Sequence, residues 1–344
     1  MILVTGGAGF IGSNFVLNWL AQSDEPVVNL DKLTYAGNRA NLQSLDGDPR
    51  HVFVRGDVAD SRLVSEILAV HRPRAVLNFA AESHVDRAIQ QGEEFIQTNV
   101  VGVFRLLEAA RAYWAGLAGT DRSAFRFLQV STDEVYGSLS PDAVAFTERD
   151  RYEPNNPYAA SKAAADHLVR ASHRTYGLPV LTTNCANNYG PYQYPEKLIP
   201  HMITAALAGE VLPIYGNGRQ LRDWLHVADH CNAIRMVLAS GVPGETYNIG
   251  AHAEKANLDV IHSICCLLDE LCPTRQADSY RAQIVHVTDR PGHDQRYSID
   301  ATKIMSQLGW RASHTFESGL RETVCWYLGH AAWVDGVKSR AALG

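Results

Sequence analysis

Residues 2–14 read ILVTGGAGFIGSN. A short apolar run comes before Gly6, Gly9 and Gly12, which are spaced G-x-x-G-x-x-G, and a helical pattern follows them. The first glycine permits a tight turn, the second lets the backbone approach a pyrophosphate, and the third lets the helix pack on the strand. Free N–H groups and the helix dipole favour an anion at this helix start. The stretch therefore predicts a strand–turn–helix unit that binds a dinucleotide.

An acidic residue, Asp31, ends the second apolar run about 20 residues after the glycines, where a carboxylate accepts hydrogen bonds from the adenosine ribose hydroxyls. This placement favours NAD over NADP, because NADP carries a phosphate on that ribose. A glycine-rich turn that binds nothing is the alternative interpretation. The strand–turn–helix context together with Asp31 makes it the weaker one.

Apolar runs and helical patterns alternate through the first half of the chain. Strands are expected at Ile2–Thr5, Val27–Leu30, His51–Val54, Ala75–Phe79, Phe125–Val130 and Val180–Thr183. Such alternation is typical of a parallel sheet covered by helices. A further helix over Val227–Leu238 and a strand over Thr246–Ile249 are expected to return to this sheet. The predicted fold is α/β, a Rossmann-type doubly wound parallel sheet with a smaller mixed α/β C-terminal substrate lobe.

The pattern loosens after residue 185. Loops are expected over Asn187–Glu196, Tyr215–Gln220 and Asp289–Asp294, interleaved with short helices over Leu198–Leu207, Val260–Leu271 and Phe316–Tyr327. We therefore predict an NAD-binding Rossmann domain over residues 1–184, completed by 227–250. Residues 185–226 and 251–344 are expected to form the substrate-binding lobe.

Composition argues against several classes of protein. The chain has 344 residues, 46% of them hydrophobic, which is ample for a packed core. Its formal net charge is −6 and it has no basic run, so nucleic acid is not an expected partner. No signal peptide and no apolar run of membrane-spanning length are recognised, so we expect a cytoplasmic protein with no membrane partner. The six cysteines form no CxxC pair, so we expect neither a disulfide framework nor a metal site.

Tyr158 and Lys162 lie four residues apart in a helical pattern that opens after Asn156 and Pro157, so they share one face of the helix. A free tyrosine is a poor base at neutral pH. A nearby ammonium and a positive nicotinamide ring both favour the phenolate, so we expect the pKa of Tyr158 to fall. Tyr158 would then take the proton of an alcohol while hydride leaves its carbon, and Lys162 would also bind the nicotinamide ribose. A surface Tyr–Lys pair is the alternative.

The segment STDEVYG, residues 131–137, follows the strand Phe125–Val130. Thr132 is placed to hydrogen-bond the reacting oxygen. Asp133 and Glu134 are less usual, because a dehydrogenase needs neither carboxylate. Two adjacent carboxylates cannot both ionise cheaply, so one pKa rises and the pair supplies one acid and one base, as elimination of water demands. A solvated acidic loop is the alternative interpretation.

Together these segments resemble the extended short-chain dehydrogenase/reductase family and, within it, the dTDP-glucose 4,6-dehydratases. The resemblance runs nearly end to end, and the segments STDEVYG and DRPGHD are specific to this branch. It is carried by GGAGFIGSN (6–14), DKLTYAGN (31–38), AAESHVDR (80–87), TNV (98–100), STDEVYG (131–137), YAASK (158–162), NNYGPYQ (187–193), EKLIP (196–200), RDWL (222–225) and DRPGHDQRY (289–297).

The resemblance implies a reaction. dTDP-glucose would be dehydrated to dTDP-4-keto-6-deoxyglucose with NAD that stays tightly bound and is regenerated in each turnover. Tyr158 would deprotonate the sugar 4-hydroxyl as hydride passes from C4 to NAD. Glu134 would then remove the C5 proton and Asp133 would protonate the departing C6 hydroxyl, before hydride returns to C6. A ketone must form first, because only then is a carboxylate a strong enough base for C5.

The resemblance also implies two sets of contacts. The cofactor would be bound by Gly6, Gly9, Phe10, Ile11, Gly12, Asp31, Lys32, Leu33, Thr34, Asp57, Val58, Ala80, Ala81, Ser83, Thr98, Tyr158, Lys162 and Asn188. The sugar nucleotide would be bound by Ser83, Thr132, Asn187, Lys197, Leu198, Pro213, Ile214, Tyr215, Arg222, Asn257, Arg290, His293 and Tyr297. Each substrate contact could instead be an ordinary surface or packing residue.

Alternatives stay open at this point. An epimerase or a sugar-acid decarboxylase would use the same scaffold, and the Asp133–Glu134 pair disfavours both. A non-catalytic NAD-binding regulator would have no need of a base. The residues do not distinguish thymidine from uridine, nor one deoxysugar pathway from another. The resemblance implies a homodimer that pairs the helices Glu93–Tyr113 and Tyr158–Tyr176, although helices buried within one chain would show the same pattern.

Overall fold

A computed structural model describes residues 1–274, 278–289 and 294–341. Its main sheet has seven strands, all of whose pairings are parallel, in the order β10-β6-β5-β4-β1-β2-β3. The strands of the described chain, β1 to β13, are Ile2–Thr5, Val27–Asp31, His51–Arg55, Ala75–Asn78, Arg126–Thr132, Val180–Cys185, Asn187–Tyr189, Leu212–Tyr215, Leu221–His226, Thr246–Ile249, Glu254–Ala256, Ile284–Val287 and Arg296–Tyr297.

Helices cover both faces of this sheet. The α-helices, α1 to α13, are Phe10–Gln22, Ser61–His71, Val85–Gln90, Gly92–Phe95, Val103–Ala115, Gly119–Ala124, Pro157–Tyr176, Leu198–Ala208, Val227–Ser240, Asn257–Leu271, Thr302–Leu308, Phe316–Gly329 and Ala331–Ala341. Short 3₁₀-helices cover Arg39–Leu45, Asp133–Tyr136 and Tyr280–Gln283, and a π-helix covers Ile96–Gly102. Within the described ranges, no helix combines the length and apolar character needed to cross a membrane.

The strands are apolar throughout because both of their faces are buried. Ile2 and Val4 belong to the core beneath α1 and α9, whereas Leu3 belongs to the opposite core beneath α2 and α5. The spatial order reverses between β1 and β4, and ligands of doubly wound sheets bind at the carboxyl ends of the strands at such a point. The predicted Rossmann-type sheet is confirmed, including the return of Val227–Ser240 and Thr246–Ile249 to its edge beside β6.

One predicted helix differs in detail. Glu93–Tyr113 was expected as a regular helix, but α4 and α5 are joined through the π-helix Ile96–Gly102. π-Turns inside α-helices occur frequently at functional sites. Here the π-helical turn contains the buried Asn99, whose amide group contacts the catalytic region described below.

The second lobe has its own core. Strands β7, β9, β11 and β13 form a small sheet, and β8 pairs with β12. Helices α8, α10 and α12 enclose the apolar side chains of this lobe. The segment Asn187–Glu196, predicted as a loop, begins with strand β7, which pairs in parallel with β9.

The division into residues 1–184 with 227–250, and 185–226 with 251–344, stays a prediction. One segment bears on it. Ile299, Ala301, Ile304 and Trp310 pack in the core of the first lobe, although they lie in the stretch assigned to the second.

Candidate active site

The glycine turn leaves no room for side chains at two of its three positions. Gly6 has a φ of +70°, and a Cβ there would lie 2.5 Å from the backbone nitrogen of Ala80. A Cβ on Gly12 would lie 2.2 Å from the carbonyl oxygen of Gly6, so α1 can pack closely on β1. Gly9 precedes α1, and a Cβ there would meet only the Gly6 oxygen, at 3.3 Å. The turn thus presents bare backbone and a helix N-terminus to a ligand, as a dinucleotide phosphate requires.

Acidic and basic groups lie beside this turn. The Asp31 carboxylate accepts hydrogen bonds from the backbone N–H of Ala8 at 2.9 Å and of Leu33 at 2.7 Å, although burial raises its pKa. Lys32 Nζ lies 2.8 Å from the Asp57 carboxylate. Burial would raise the pKa of Asp57, but its hydrogen bond from Lys32 lowers it below the usual value. The N-cap of the following helix is Asp60, so Asp57 does not cap that helix.

A cavity of about 90 Å³ opens at these strand ends. Ten of the predicted cofactor residues line it: Gly6, Gly9, Asp31, Lys32, Thr34, Asp57, Val58, Ala80, Ala81 and Thr98. Phe10, Ile11 and Gly12 lie in the first turn of α1, and Leu33 follows Asp31 with a φ of 59°. Ser83 and Asn188 line a larger, neighbouring cavity. Bare glycine backbone, a helix N-terminus and an acidic residue at the second strand fit a dinucleotide without a 2′-phosphate.

The catalytic helix α7 begins in a well-defined way. Asn156 caps it, since its side-chain oxygen accepts a hydrogen bond from the Ala159 N–H at 2.8 Å, and Pro157 occupies the first turn. Tyr158 and Lys162 are both buried on the face toward the sheet, as the four-residue spacing predicts. Lys162 Nζ donates to the backbone oxygen of Val130 at 2.8 Å, and burial lowers the pKa of this ammonium.

The sequence predicts that the pKa of Tyr158 is lowered, and for the effect of the protein's own side chains this prediction is wrong. The pKa of Tyr158 is raised well above its usual value, because burial and the carboxylates of Glu134 and Asp133 disfavour the phenolate. Only the hydrogen bond with Thr132 acts in the expected direction. The Lys162 ammonium hydrogen-bonds Val130 instead of the phenol. A positive nicotinamide ring is therefore the remaining source of the lowering that the sequence analysis expected.

The two adjacent carboxylates have different environments. Asp133 is 1% exposed, and in the described structure its Oδ2 has no hydrogen-bond partner. Burial and the neighbouring Glu134 raise the pKa of Asp133 well above its usual value. Burial also raises the pKa of Glu134, but Asn156 donates to its carboxylate at 3.3 Å and Arg222 attracts it, which both favour the charged form. The predicted acid and base are therefore distinguished by their surroundings.

Glu134 lies at the wall of a cavity of about 790 Å³ between the two lobes' elements. Ten of the predicted substrate residues line it: Ser83, Asn187, Lys197, Leu198, Pro213, Ile214, Tyr215, Arg222, Asn257 and Tyr297. Thr132 lies behind this wall, next to Glu134, whose N–H donates to its hydroxyl at 3.3 Å. Arg290 and His293 lie outside the described residues.

Two cations are fixed at this cavity. Arg222 is 7% exposed; its guanidinium lies 4.3 Å from the Tyr297 ring and donates to the backbone oxygen of Asp294 at 2.9 Å. Lys197 Nζ donates to the backbone oxygen of Ser83 at 2.9 Å. Both cations line the cavity, where their positive charge suits an anionic ligand such as a diphosphate.

Several residues of the site were not among the predicted ones. Asn99 donates to Ser161 Oγ at 2.9 Å and to the backbone oxygen of Glu82, which ties the π-helix to the catalytic helix. Asn156 bridges the same helix to Glu134. The available signals were the TNV segment for Asn99 and the cap pattern Asn-Pro for Asn156.

Comparison with known proteins gives a consistent result. Residues 3–323 match the family model described as GDP-mannose 4,6 dehydratase. A dTDP-glucose 4,6-dehydratase of Xanthomonas campestris pv. campestris (strain B100) is 61% identical over 335 residues, which are 97% of this chain and 95% of that protein. The dTDP-glucose 4,6-dehydratase 1 of Escherichia coli (strain K12) is 56% identical, covering 99% and 96%.

A solved structure is similar over the same extent. The dTDP-glucose 4,6-dehydratase of Streptomyces venezuelae, determined with NAD bound, has a TM-score of 0.88 and 47% sequence identity. The match covers 98% of this chain and 99% of that one. The match therefore extends over both lobes.

Proposed function

Because the chain belongs to the dTDP-glucose 4,6-dehydratase family, we propose that Tyr158, Glu134 and Asp133 divide the steps of that reaction among them. The reaction converts dTDP-glucose to dTDP-4-keto-6-deoxyglucose with loss of water. When bound, NAD takes the hydride from C4 and returns it to C6, so it ends each turnover oxidised. One observation carries the assignment of roles: a buried carboxyl and a cavity-facing carboxylate lie side by side next to Tyr158.

In the first step Tyr158 takes the proton of the 4-hydroxyl. The Thr132 hydroxyl lies next to the phenol and favours its charged form. Lys162, four residues on, is held by Val130 with its ammonium buried. It supplies positive charge on the same side of the helix and a donor for the nicotinamide ribose.

In the second step Glu134 takes the C5 proton, which the C4 ketone has made acidic. The electrons of the C5–H bond form the C5–C6 double bond, and the C6–O bond breaks. Asp133 gives its proton to the departing oxygen, which leaves as water. Burial raises the pKa of Asp133 well above its usual value, whereas Asn156 and Arg222 oppose the burial that raises the pKa of Glu134. Of the two, Asp133 is therefore better suited to act as the acid and Glu134 as the base.

The cavity offers matching groups for the rest of the substrate. Arg222 and Lys197 are placed to bind the diphosphate. Asn187 and Asn257 each have a buried side-chain oxygen with no hydrogen-bond partner among the described residues, so they can accept from hydroxyl or imide groups of the sugar nucleotide. Pro213, Ile214 and Tyr215 form an apolar wall suited to the base. The roles of Arg290 and His293 stay predictions.

We also propose a homodimer built on neighbouring helices. Ile89, Ile96, Phe104 and Tyr176 lie on or beside α3, α5 and α7, and each is about half exposed, at 51%, 48%, 50% and 51%. Large apolar side chains exposed on adjacent helices are typical of a protein–protein interface.

The six cysteines are all free thiols, which supports the proposed cytoplasmic location.

The test is to incubate the purified protein with dTDP-glucose in heavy water without added cofactor. We expect a product that has lost one water and carries one deuterium at C5, because Glu134 exchanges its proton with solvent. Glu134→Gln should form no product, and its matched control is Glu153→Gln, a change outside the two cavities. Unchanged substrate with the native protein, or a C4 epimer of unchanged mass, would overturn the proposal. The same assay with the uridine analogue measures the preference for the base.

A further inference from the structure

A cluster of metal-ligating side chains lies away from both cavities. His226 ends strand β9, His314 lies just before helix α12, and Glu322 lies within that helix. One potential ligand atom from each residue lies within 4.8 Å of the other two. None of the three lines the cavities of the candidate active site. The cluster therefore needs an explanation other than the dehydratase reaction.

His226 is the unusual member. It is 2% exposed, and neither of its ring nitrogens has a hydrogen-bond partner within the described structure. Burying a polar group without a hydrogen-bond partner is unfavourable, so such groups are rare unless a ligand satisfies them. The rest of the described structure therefore leaves both ring nitrogens of His226 without a partner, and one of them can offer a lone pair to a ligand.

His314 is oriented by a carboxylate. Its Nδ1 lies 3.0 Å from the Asp229 carboxylate, which also accepts hydrogen bonds from the backbone N–H groups of Ser313 and His314, each at 3.0 Å. With its proton on Nδ1, His314 donates to Asp229 and offers Nε2 as the lone-pair nitrogen. This is the usual outer-shell arrangement of a metal-binding histidine.

Glu322 completes the set from the solvent side. Its carboxylate lies 3.3 Å from His314 Nε2, and the His226 and His314 ring centres are 4.1 Å apart. The Glu322 side chain is 55% exposed, so it can move to adjust the site. Ligand atoms about 2.0–2.2 Å from a tetrahedral zinc ion lie about 3.4 Å from one another. The separation between His314 and Glu322 matches this value, and the remaining pairs lie within 4.8 Å.

We propose that His226, His314 and Glu322 form a binding site for Zn²⁺, with water as the fourth ligand. Two imidazoles and a carboxylate suit zinc, whereas Mg²⁺ and Ca²⁺ prefer sites made of oxygen alone. The spacing of the cysteines predicts no metal site, and the three ligands here are 88 and 8 residues apart along the chain. Only the fold brings them together.

The proposed ion has a structural role. It would join the end of β9, at the start of helix α9, to helix α12 of the second lobe. In the small sheet His226 pairs with Tyr189, the neighbour of Asn188 at the substrate cavity. Zinc would therefore fix the second lobe at the strand that reaches the cavity, and it would stabilise the folded protein without taking part in the reaction.

The test uses the metal alone. The purified protein is stripped with a chelator, dialysed against ZnCl₂ and analysed for bound zinc, with MgCl₂ in parallel. We expect one equivalent of zinc, a higher melting temperature with zinc than without, and no effect of magnesium. Cobalt in place of zinc should give the intense visible absorption of a tetrahedral site, which octahedral aqueous cobalt lacks.

Variants locate the site. Glu322→Gln changes a half-exposed side chain, so the protein should fold and keep its dehydratase activity while its zinc affinity falls at least about tenfold. His314→Ala should abolish stoichiometric binding. His262→Ala, at a histidine outside the cluster, is the matched control and should bind zinc like the native protein. The proposal is overturned if the native protein retains less than one equivalent, or if Glu322→Gln, His314→Ala and His262→Ala bind zinc equally well.

Discussion

Asp133→Asn should separate catalysis from stability. The replacement has nearly the same shape, and the native side chain is buried with one carboxylate oxygen unpartnered in the described structure. It removes the proton that the proposed mechanism gives to the departing C6 hydroxyl. It leaves Tyr158 and Glu134 in place. We therefore expect oxidation at C4 and exchange of the C5 proton to continue while the loss of water slows.

The size of each effect follows from the surroundings of Asp133. A positioned general acid accelerates a reaction about 10²–10⁴-fold, so the turnover number should fall by that factor. Burial raises the pKa of Asp133 in the folded protein above its value in the unfolded chain. The free energy of unfolding therefore falls as the pH rises from the unfolded-state pKa to the folded-state pKa. Each pH unit in that window costs about 1.4 kcal/mol. The variant has no such loss and should be more stable than the native protein near neutral pH.

Two measurements check this prediction. Stopped-flow absorbance should show reduced nicotinamide accumulating on the variant, because hydride is taken from C4 but is returned to C6 only after water leaves. Urea unfolding at several pH values should show that Asp133→Asn is more stable than the native protein at neutral pH. This difference should shrink toward about pH 4, the usual pKa of a free aspartate. Asp142→Asn, at an exposed carboxylate, is the control and should change neither. Turnover within about threefold of native, or a variant less stable than native at neutral pH, would refute the roles assigned to burial and to Asp133.

Three further predictions concern other parts of the molecule. Burial raises the pKa of Asp166 from 3.8 to about 7. As the pH rises through this range, the free energy of unfolding of the native protein should fall by about 4 kcal/mol more than that of Asp166→Asn, as measured by urea unfolding. Phe104→Glu places a charge in the exposed apolar helix face and should convert a dimer to a monomer in sedimentation velocity, whereas a native monomer would contradict the proposed interface. Arg222→Lys loses the planar contact between the guanidinium and the Tyr297 ring. The value of kcat/KM for dTDP-glucose should therefore fall about 10–100-fold, mainly because KM rises. An unchanged KM would exclude Arg222 from the substrate site.

Local sequence patterns predicted the parts of the site that local structure determines. The glycine turn depends on backbone geometry within seven residues, and the helix spacing places Tyr158 and Lys162 on one face, so both were predictable. The sheet was predictable because apolar runs alternate with helical patterns. Bonds between distant segments were not, such as those of Asn99 to Ser161, because they depend on how elements pack.

The pKa of Tyr158 shows why composition near a residue is a poor guide to its chemistry. Lys162 is its conspicuous neighbour in sequence, yet that ammonium hydrogen-bonds Val130, and burial together with two carboxylates dominates the phenol. In a buried site the desolvation of a group outweighs a charge that points elsewhere. A sequence pattern identifies which groups meet, but the direction of each side chain decides which of them interact.

The same reasoning explains how two neighbouring carboxyl groups acquire different surroundings. Asp133 and Glu134 lie in a 3₁₀-helix, where successive side chains point about 120° apart around the axis. Asp133 therefore points into the protein, where burial raises its pKa, while Glu134 reaches the cavity wall, where Asn156 and Arg222 favour its charge. On a β-strand the two side chains would point to opposite faces and could not serve one substrate. A single tight turn after β5 thus gives two adjacent carboxyl groups different surroundings, on which their proposed roles as acid and base depend.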